Sequence, residues 1–218
     1  MSDSVAFIEI DFTARSEGVV FDTTLREVAQ AEGLEGRGRF EPLIAPLAPG
    51  YLLEGLFEFL QGKKEGSYTI EIPAEKAFGK KDAKKIKLVS LGKFRKNEMN
   101  PYPGMEVEVD QMRGVVKSVS SGRVLVDFNH PMAGKTVEYT VELKRYVTDP
   151  GECFASLLNL IIGMPRTLVT ATQSEKKLSV VVTLKEQVPG AMFSELARMG
   201  AELIDGIDEI TVEQKIEP

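Results

Sequence analysis

The chain has 218 residues, enough for one large domain or for two or three small ones. Its 43% hydrophobic and 28% charged residues are those of an ordered globular protein and exclude disordered and fibrous classes. With 27 Lys and Arg against 33 Asp and Glu the net charge is -6, which opposes nonspecific attraction to nucleic acid or to an anionic membrane surface.

Residues 5–13 alternate and are rich in β-branched and aromatic types, Ser16-Glu17-Gly18 turns the chain, and Val19-Val20-Phe21 resumes a strand, so a hairpin is expected. Thr23 or Thr24 can cap a short helix over 25–31, and the three glycines of 33–39 mark a surface loop. Pro42, Pro46 and Pro49 keep the next stretch extended as far as Gly50. From 51 to 60, Leu52, Leu53, Leu56, Phe57 and Leu60 share one helical face, with Gly62 as the stop. A strand over 67–72 follows, ended by Pro73.

After Phe78-Gly79 the composition changes sharply, with Lys80, Lys81, Lys84, Lys85 and Lys87 inside eight residues, and a domain boundary is expected there. No aromatic residues are interleaved as stacking platforms, so the cluster reads as a solvated linker rather than a nucleic-acid site. Short β-runs at 104–109, 114–119 and 123–128, the last two joined by Ser120-Ser121-Gly122, predict a small all-β unit. Within it Phe94, Met99, Tyr102, Met105 and Met112 suit either a core or an adaptable apolar surface for unfolded chains, and both roles stay open at this point. Asn129-His130-Pro131-Met132-Ala133-Gly134 then forms a loop before an alternating strand over 137–147. His130, the single histidine, reads as a residue that fixes this loop rather than as an acid or base.

Asp149-Pro150 is a helix start signal, and Phe154, Leu157, Leu158, Ile161 and Ile162 keep helical spacing up to Gly163 and Pro165. Strands over 167–173 and 178–184 flank a polar turn. A helix marked by Phe193, Leu196, Ala197, Gly200, Leu203 and Ile204, and a strand over 210–216, complete an α-β-β-α-β unit. A core of that size is marginal alone, so a homodimer through this unit is expected. Cys153, the single cysteine, has no disulfide partner within the chain and reads as a small buried hydrophobe, in keeping with a reducing compartment. Neither a basic start with a signal-length apolar core nor an apolar run of membrane-spanning length occurs, so a cytoplasmic protein with no membrane partner is expected.

Four segments together resemble successive signatures of one family: Gly18-Val19-Val20-Phe21-Asp22-Thr23-Thr24, Gly50-Tyr51-Leu52-Leu53-Glu54-Gly55-Leu56, Ile72-Pro73-Ala74-Glu75-Lys76-Ala77-Phe78-Gly79 and Val126-Asp127-Phe128-Asn129-His130-Pro131-Met132-Ala133-Gly134-Lys135. They occur in the family's order, with the β insert between the third and fourth. Over roughly residues 5–148 the chain is thereby similar to the SlyD-like branch of the FKBP-type peptidyl-prolyl cis/trans isomerases. The C-terminal unit looks like the extension of the longer archaeal-type members. The resemblance implies an α+β fold in three parts. An FKBP-like antiparallel sheet wrapped on a short helix takes residues 1–82 and 128–148, a small all-β insert-in-flap chaperone domain takes 83–127, and an α-β-β-α-β domain takes 149–218.

Carried onto this sequence, the family's pocket is lined by Phe12, Phe21, Leu43, Leu52, Leu53, Leu56, Phe78 and Tyr139, with Asp22 as the one carboxylate at the rim. The Leu53 N–H is implied to hold a carbonyl of the bound peptide. Phe12 and Phe78 stand where the small FKBPs have tyrosines, Tyr139 where phenylalanine is usual, and Ala48-Pro49-Gly50 where a glycine-rich turn is usual. The apolar lining survives these changes. SlyD's histidine-rich metal-binding tail has no counterpart, and no cofactor or metal is implied.

Such a lining suits the reaction. Resonance in the C–N bond sets a rotation barrier of ~18–20 kcal/mol. An apolar pocket strips the polarised carbonyl of water and so weakens the planar ground state relative to the twisted transition state. No nucleophile or general base is needed. Asp22 either favours the carbonyl carbon as resonance is lost or anchors a donor; apart from the resemblance it reads as a turn aspartate. The implied partners are unfolded, proline-containing polypeptides. Two readings stay open: a folding enzyme whose insert captures non-native chains, and a holdase or peptide-binding module with a weakly active pocket.

Overall fold

The computed structural model describes residues 5–36 and 40–216. Residues 37–39 of the expected glycine loop and the N-terminal residues 1–4 lie outside the described residues.

In chain order, β1 (Phe7–Ser16) and β2 (Val19–Thr23) form the expected hairpin. Its turn needs left-handed backbone, which Glu17 and Gly18 supply at φ 54° and 80°. α1 (Arg26–Ala31) follows, and β3 (Leu43–Pro46) turns the proline-rich extended stretch into a strand on β1. α2 (Glu54–Leu60) begins three residues later than the apolar periodicity suggested, because Leu53 keeps an extended backbone (φ -56°, ψ 139°) and Leu52 forms a β-bridge with Pro49. β4 (Gly66–Ile72), β5 (Ile86–Ser90), α3 (Leu91–Lys96), β6 (Glu106–Val109), β7 (Met112–Ser120), β8 (Arg123–Asp127) and β9 (Val137–Val147) come next. α4 (Pro150–Ile162), β10 (Val169–Ser174), β11 (Lys177–Leu184), α5 (Gly190–Leu203) and β12 (Glu209–Ile216) close the order.

The chain folds as two compact units, residues 1–71 with 138–218, and residues 72–137. The first holds a sheet in the order β2-β1-β9-β4, with β3 also on β1, all antiparallel where register is defined. β1 is its central strand: eight of its ten residues are buried, as expected of a strand covered on both faces. The same unit carries the α-β-β-α-β pattern as β10-β11-β12 with α4 and α5. β11 and β12 are parallel, which the α5 crossover permits. α4 realises each of its sequence signals: Asp149 accepts a hydrogen bond from the Glu152 N–H at 2.7 Å, Pro150 stands in the first turn, and Gly163 ends the helix at φ 69°.

Residues 149–218 do not build their core alone. Phe154, Leu157 and Leu158 of α4 and Phe193 of α5 lie in one buried cluster with Phe7 of β1, Ile44 of β3 and Val147 of β9. Gly200 of α5 is there because space is short. A Cβ at that position would sit 2.7 Å from both Phe154 and Ile210.

The second unit is a four-stranded antiparallel sheet, β5-β8-β7-β6, around Phe94, Val107, Val109, Val116, Val124 and Val126. The expected all-β insert is corrected here, since α3 belongs to it. Ser90 caps that helix by accepting from the Gly92 N–H at 3.2 Å, and Phe94 from it is 1% exposed at the centre of the core. Six residues are too few to show a helical period. The expected linker is likewise partly ordered, with Lys84 and Lys85 in a 3-10 turn (Ala83–Lys85) and Lys87 on the edge strand β5. Exposed lysines on an edge strand oppose unwanted strand pairing. Phe94 is core, Met99 and Met105 pack against it, and Tyr102 (63%) and Met112 (39%) are exposed.

Candidate active site

Two register facts place the site. Ala14 on the central strand lies opposite Asp22 of β2 on one side and opposite Tyr139 of β9 on the other. Residues directly opposite share a face, and Phe12, two residues from Ala14, shares it too. Phe12 and Tyr139 accordingly meet with ring centroids 5.5 Å apart at 41°. Ala14, 0% exposed, adds only a methyl group to the floor between Asp22 and Tyr139.

Phe21 needs a separate reason, because neighbours on a strand normally point to opposite faces. The register steps here: Ala14 pairs with Asp22 but Arg15 pairs with Val20, which leaves Phe21 as an extra residue on β2. A bulge of this kind re-aims a side chain. Phe21 and Asp22 therefore line the same cavity despite being adjacent.

A short network of hydroxyls holds this edge. Thr24 Oγ1 donates to Asp11 Oδ1 at 2.8 Å and accepts from the Phe12 N–H at 2.9 Å. Thr23 Oγ1 donates to the Phe12 carbonyl at 3.0 Å and meets Thr13 Oγ1 at 3.0 Å. Asp11, 7% exposed, is balanced by Lys144. The ends of β1 and β2 are thus locked where Phe12, Phe21 and Asp22 face the cavity.

The cavity has a volume of about 300 Å³ and is lined by Phe12, Phe21, Asp22, Thr23, Thr24, Leu34, Phe40, Glu41, Pro42, Leu43 and Asn159. Of the residues proposed from sequence it gathers Phe12, Phe21, Asp22 and Leu43, and Tyr139 joins through its contact with Phe12. Leu52, Leu53 and Leu56 sit at the head of α2, with Leu56 buried and the other two half-buried, and none of the three lines this cavity. Phe78 belongs to the other unit, where its ring stacks on His130 at 4.5 Å and 4°. His130 Nδ1 also accepts from the Met132 N–H at 3.2 Å, so this histidine shapes its own loop. Phe40 and Asn159 were missed. Phe40 follows a glycine-rich stretch with no period, and Asn159 comes from α4, where the sequence shows only one polar residue between core leucines.

Two ionisable groups at the site feel partial burial, with Asp22 at its exposed rim and Tyr139 buried. Burial raises the Asp22 carboxyl above its ordinary value, against a smaller opposing effect of the Thr23 backbone N–H. Burial first, then the nearby Asp22 charge, raises the Tyr139 phenol. Among the described residues no cluster of three or more metal-ligating side chains is assembled, and no helix is long and apolar enough to cross a membrane.

The sheet thus presents aromatic rings and the Asp22 carboxylate to a small cavity whose wall also holds Glu41. Residues 87–132 match the family model described as the FKBP26 IF domain. The short-type peptidyl-prolyl cis-trans isomerase of Methanocaldococcus jannaschii is 29% identical over 140 residues, 63% of this chain and 89% of that protein. The FKBP-type 16 kDa peptidyl-prolyl cis-trans isomerase of Escherichia coli K12 is 30% identical over 57% of this chain and 86% of its own length. A probable protein of the same type from Pseudomonas fluorescens is 32% identical over 47% and 71%. The chain belongs to the FKBP-type peptidyl-prolyl cis-trans isomerase family and carries that family's isomerase activity. SlyD of Aeromonas hydrophila, 28% identical over 64% of this chain and 62% of that protein, is a further relative.

Proposed function

We propose that the cavity of Phe12, Phe21, Asp22 and Leu43, floored by Tyr139, is where this isomerase turns the X-Pro bond of polypeptide substrates. The single observation that carries this reading is the convergence of Phe12, Phe21 and Asp22, placed by register and bulge, on one cavity of about 300 Å³. A proline ring against Phe12 and Phe21 brings its amide carbonyl out of water. The planar, polarised ground state loses hydration that the twisted state does not need, and each 1.36 kcal/mol of that difference is about tenfold in rate. The Asp22 carboxylate, held at the rim, favours the carbonyl carbon as resonance is lost. Leu52, Leu53 and Leu56 complete the substrate's surroundings in this proposal, with the N–H of Leu53, the N-cap of α2, holding a substrate carbonyl.

A protease-free isomerisation assay on an Ala-Leu-Pro-Phe peptide tests it. Wild type accelerates exchange, and Phe21→Ala and Asp22→Ala each lower kcat/KM by tenfold or more. Binding without acceleration in the wild type points instead to a peptide-recognition module.

The inserted unit is proposed to capture non-native chains. Its exposed Leu88 (60%), Tyr102 (63%), Met112 and Val119 support that role, since adaptable apolar side chains suit promiscuous binding. Replacing residues 83–127 by a short loop is expected to spare the short peptide and to slow refolding of a proline-limited protein client; unchanged client refolding refutes the capture role. Domains at 1–82 with 128–148, 83–127 and 149–218, the last as an archaeal-type extension, are part of the same proposal, as is a cytoplasmic setting. Self-association through 149–218 is proposed as well, although the burial that a small unit lacks is met in part by Phe7, Ile44 and Val147 of the same chain.

A further inference from the structure

The cavity wall includes one side chain from the C-terminal segment. Asn159 of α4, half-buried, lines it together with Phe12, Phe21 and Asp22. Its amide is fixed at one end, because Nδ2 donates to the Met164 carbonyl at 2.9 Å just beyond the helix end. A carboxamide with one N–H engaged on its own chain keeps Oδ1 as an acceptor beside one further N–H. The facing wall is tied to the same segment: Arg166 Nη2 donates to the Pro42 carbonyl at 3.4 Å and pairs with Glu41 at 3.7 Å. Glu41 and Pro42 line the cavity too, and among the described residues no lysine or arginine does. The polar side chains around this cavity thus include the carboxylates of Asp22 and Glu41, the latter paired with Arg166, and the amide of Asn159, whose Oδ1 is an acceptor.

We propose that Asn159 is a specificity-determining residue of the prolyl cleft, its Oδ1 accepting a hydrogen bond from a donor-bearing side chain, such as lysine, on the residue preceding proline. This rests on the isomerase reading of the cavity. Proline has no N–H of its own, so the nearest donor that can discriminate among substrates is on its neighbour. A site that offers acceptors to a half-dry rim favours a cation there, leaves an apolar residue of equal length neutral, and disfavours a carboxylate.

The test uses the full chain and three peptides, Ala-Xaa-Pro-Phe with Xaa Lys, Met or Glu, in the protease-free assay. Wild type is expected to rank Lys over Met over Glu in kcat/KM. Asn159→Ala lowers kcat/KM for the Lys peptide more than for the Met peptide, so the Lys-to-Met ratio narrows. Asn159→Asp widens the Lys-to-Glu ratio by about tenfold at low salt, and the gain shrinks as salt is added. An unchanged ranking in both variants overturns the proposal, and so does an equal fall for all three peptides with a lowered Tm, which marks only the loss of the Met164 bond. Loss of the cavity reading itself is seen separately, as full activity in Phe21→Ala.

Discussion

Thr24→Val is the substitution that most directly tests how the site is held. Valine keeps the shape of threonine and removes the hydroxyl, so no cavity opens and the effect isolates two hydrogen bonds. Thr24 is 8% exposed, and its Oγ1 serves the Phe12 N–H at 2.9 Å and Asp11 Oδ1 at 2.8 Å. Without it the Phe12 N–H is buried and unpaired, at a cost of about 1–3 kcal/mol. Asp11 loses one donor and keeps Lys144, which adds about 1.5 kcal/mol, the low end for a bond to a charged group. The added methyl returns up to about 0.8 kcal/mol. The net destabilisation is about 2–4 kcal/mol, read by urea unfolding as a lower midpoint at unchanged slope. Thr24→Ser keeps the hydroxyl and gives up one methyl, so its loss stays within about 1 kcal/mol. Because Phe12 is displaced only in the valine variant, kcat/KM falls further there than in the serine variant. Equal losses of stability in the two variants refute the reasoning.

Four more outcomes follow from three ionisable groups. The Asp22 carboxyl is raised by burial, so as pH falls its charge is lost earlier than in a free aspartate; activity on an uncharged peptide drops in that window, and Asp22→Asn removes the pH dependence along with most of the rate. The same raised value means that the ionised carboxyl opposes folding above the unfolded value, so Asp22→Asn stabilises the protein more at neutral pH than at acid pH, as thermal unfolding at the two pH values checks. Asp127 has the opposite sign. Burial pushes it up, but the Asn129 backbone N–H and side chain, then Lys117 and Lys81, outweigh this and set it low. Its stabilisation is present above the unfolded aspartate value and is lost as pH falls through the folded one, so protection factors for hydrogen exchange within 72–137, taken against the intrinsic rate at each pH, fall in acid, and Asp127→Asn makes that fall shallower. Burial, with Glu152 and Asp149 adding to it, pushes the Cys153 thiol up to about 12. Alkylation at pH 8 is therefore slower in the native protein than in guanidinium by about a thousandfold or more, and equal rates refute the burial.

Much of the architecture is written in local signals. The hairpin at Glu17-Gly18, the alternation of 137–147 and the start and stop of α4 at Asp149-Pro150 and Gly163 each depend on residues within a few positions of one another. β5 and α3 were hidden for the same physical reason. Their apolar residues are short runs set among lysines, and burial of Phe94 comes from strands distant in the chain. The nine residues inferred for the pocket came from resemblance, and the cavity itself unites four of them with side chains that carry no local mark.

What the sequence by itself determined is most of the elements, their order, and the presence of Phe12, Phe21 and Asp22 near one hairpin. Periodicity, caps and turns are properties of neighbours along the chain. Tertiary structure alone decided that a bulge aims Phe21 and Asp22 into one space, that Phe40 and Asn159 wall it, and that α4 shares a core with β1, β3 and β9. Each of these is a contact between residues far apart in sequence. The register of the sheet and the packing of α4 against it select such contacts, and no local preference encodes them.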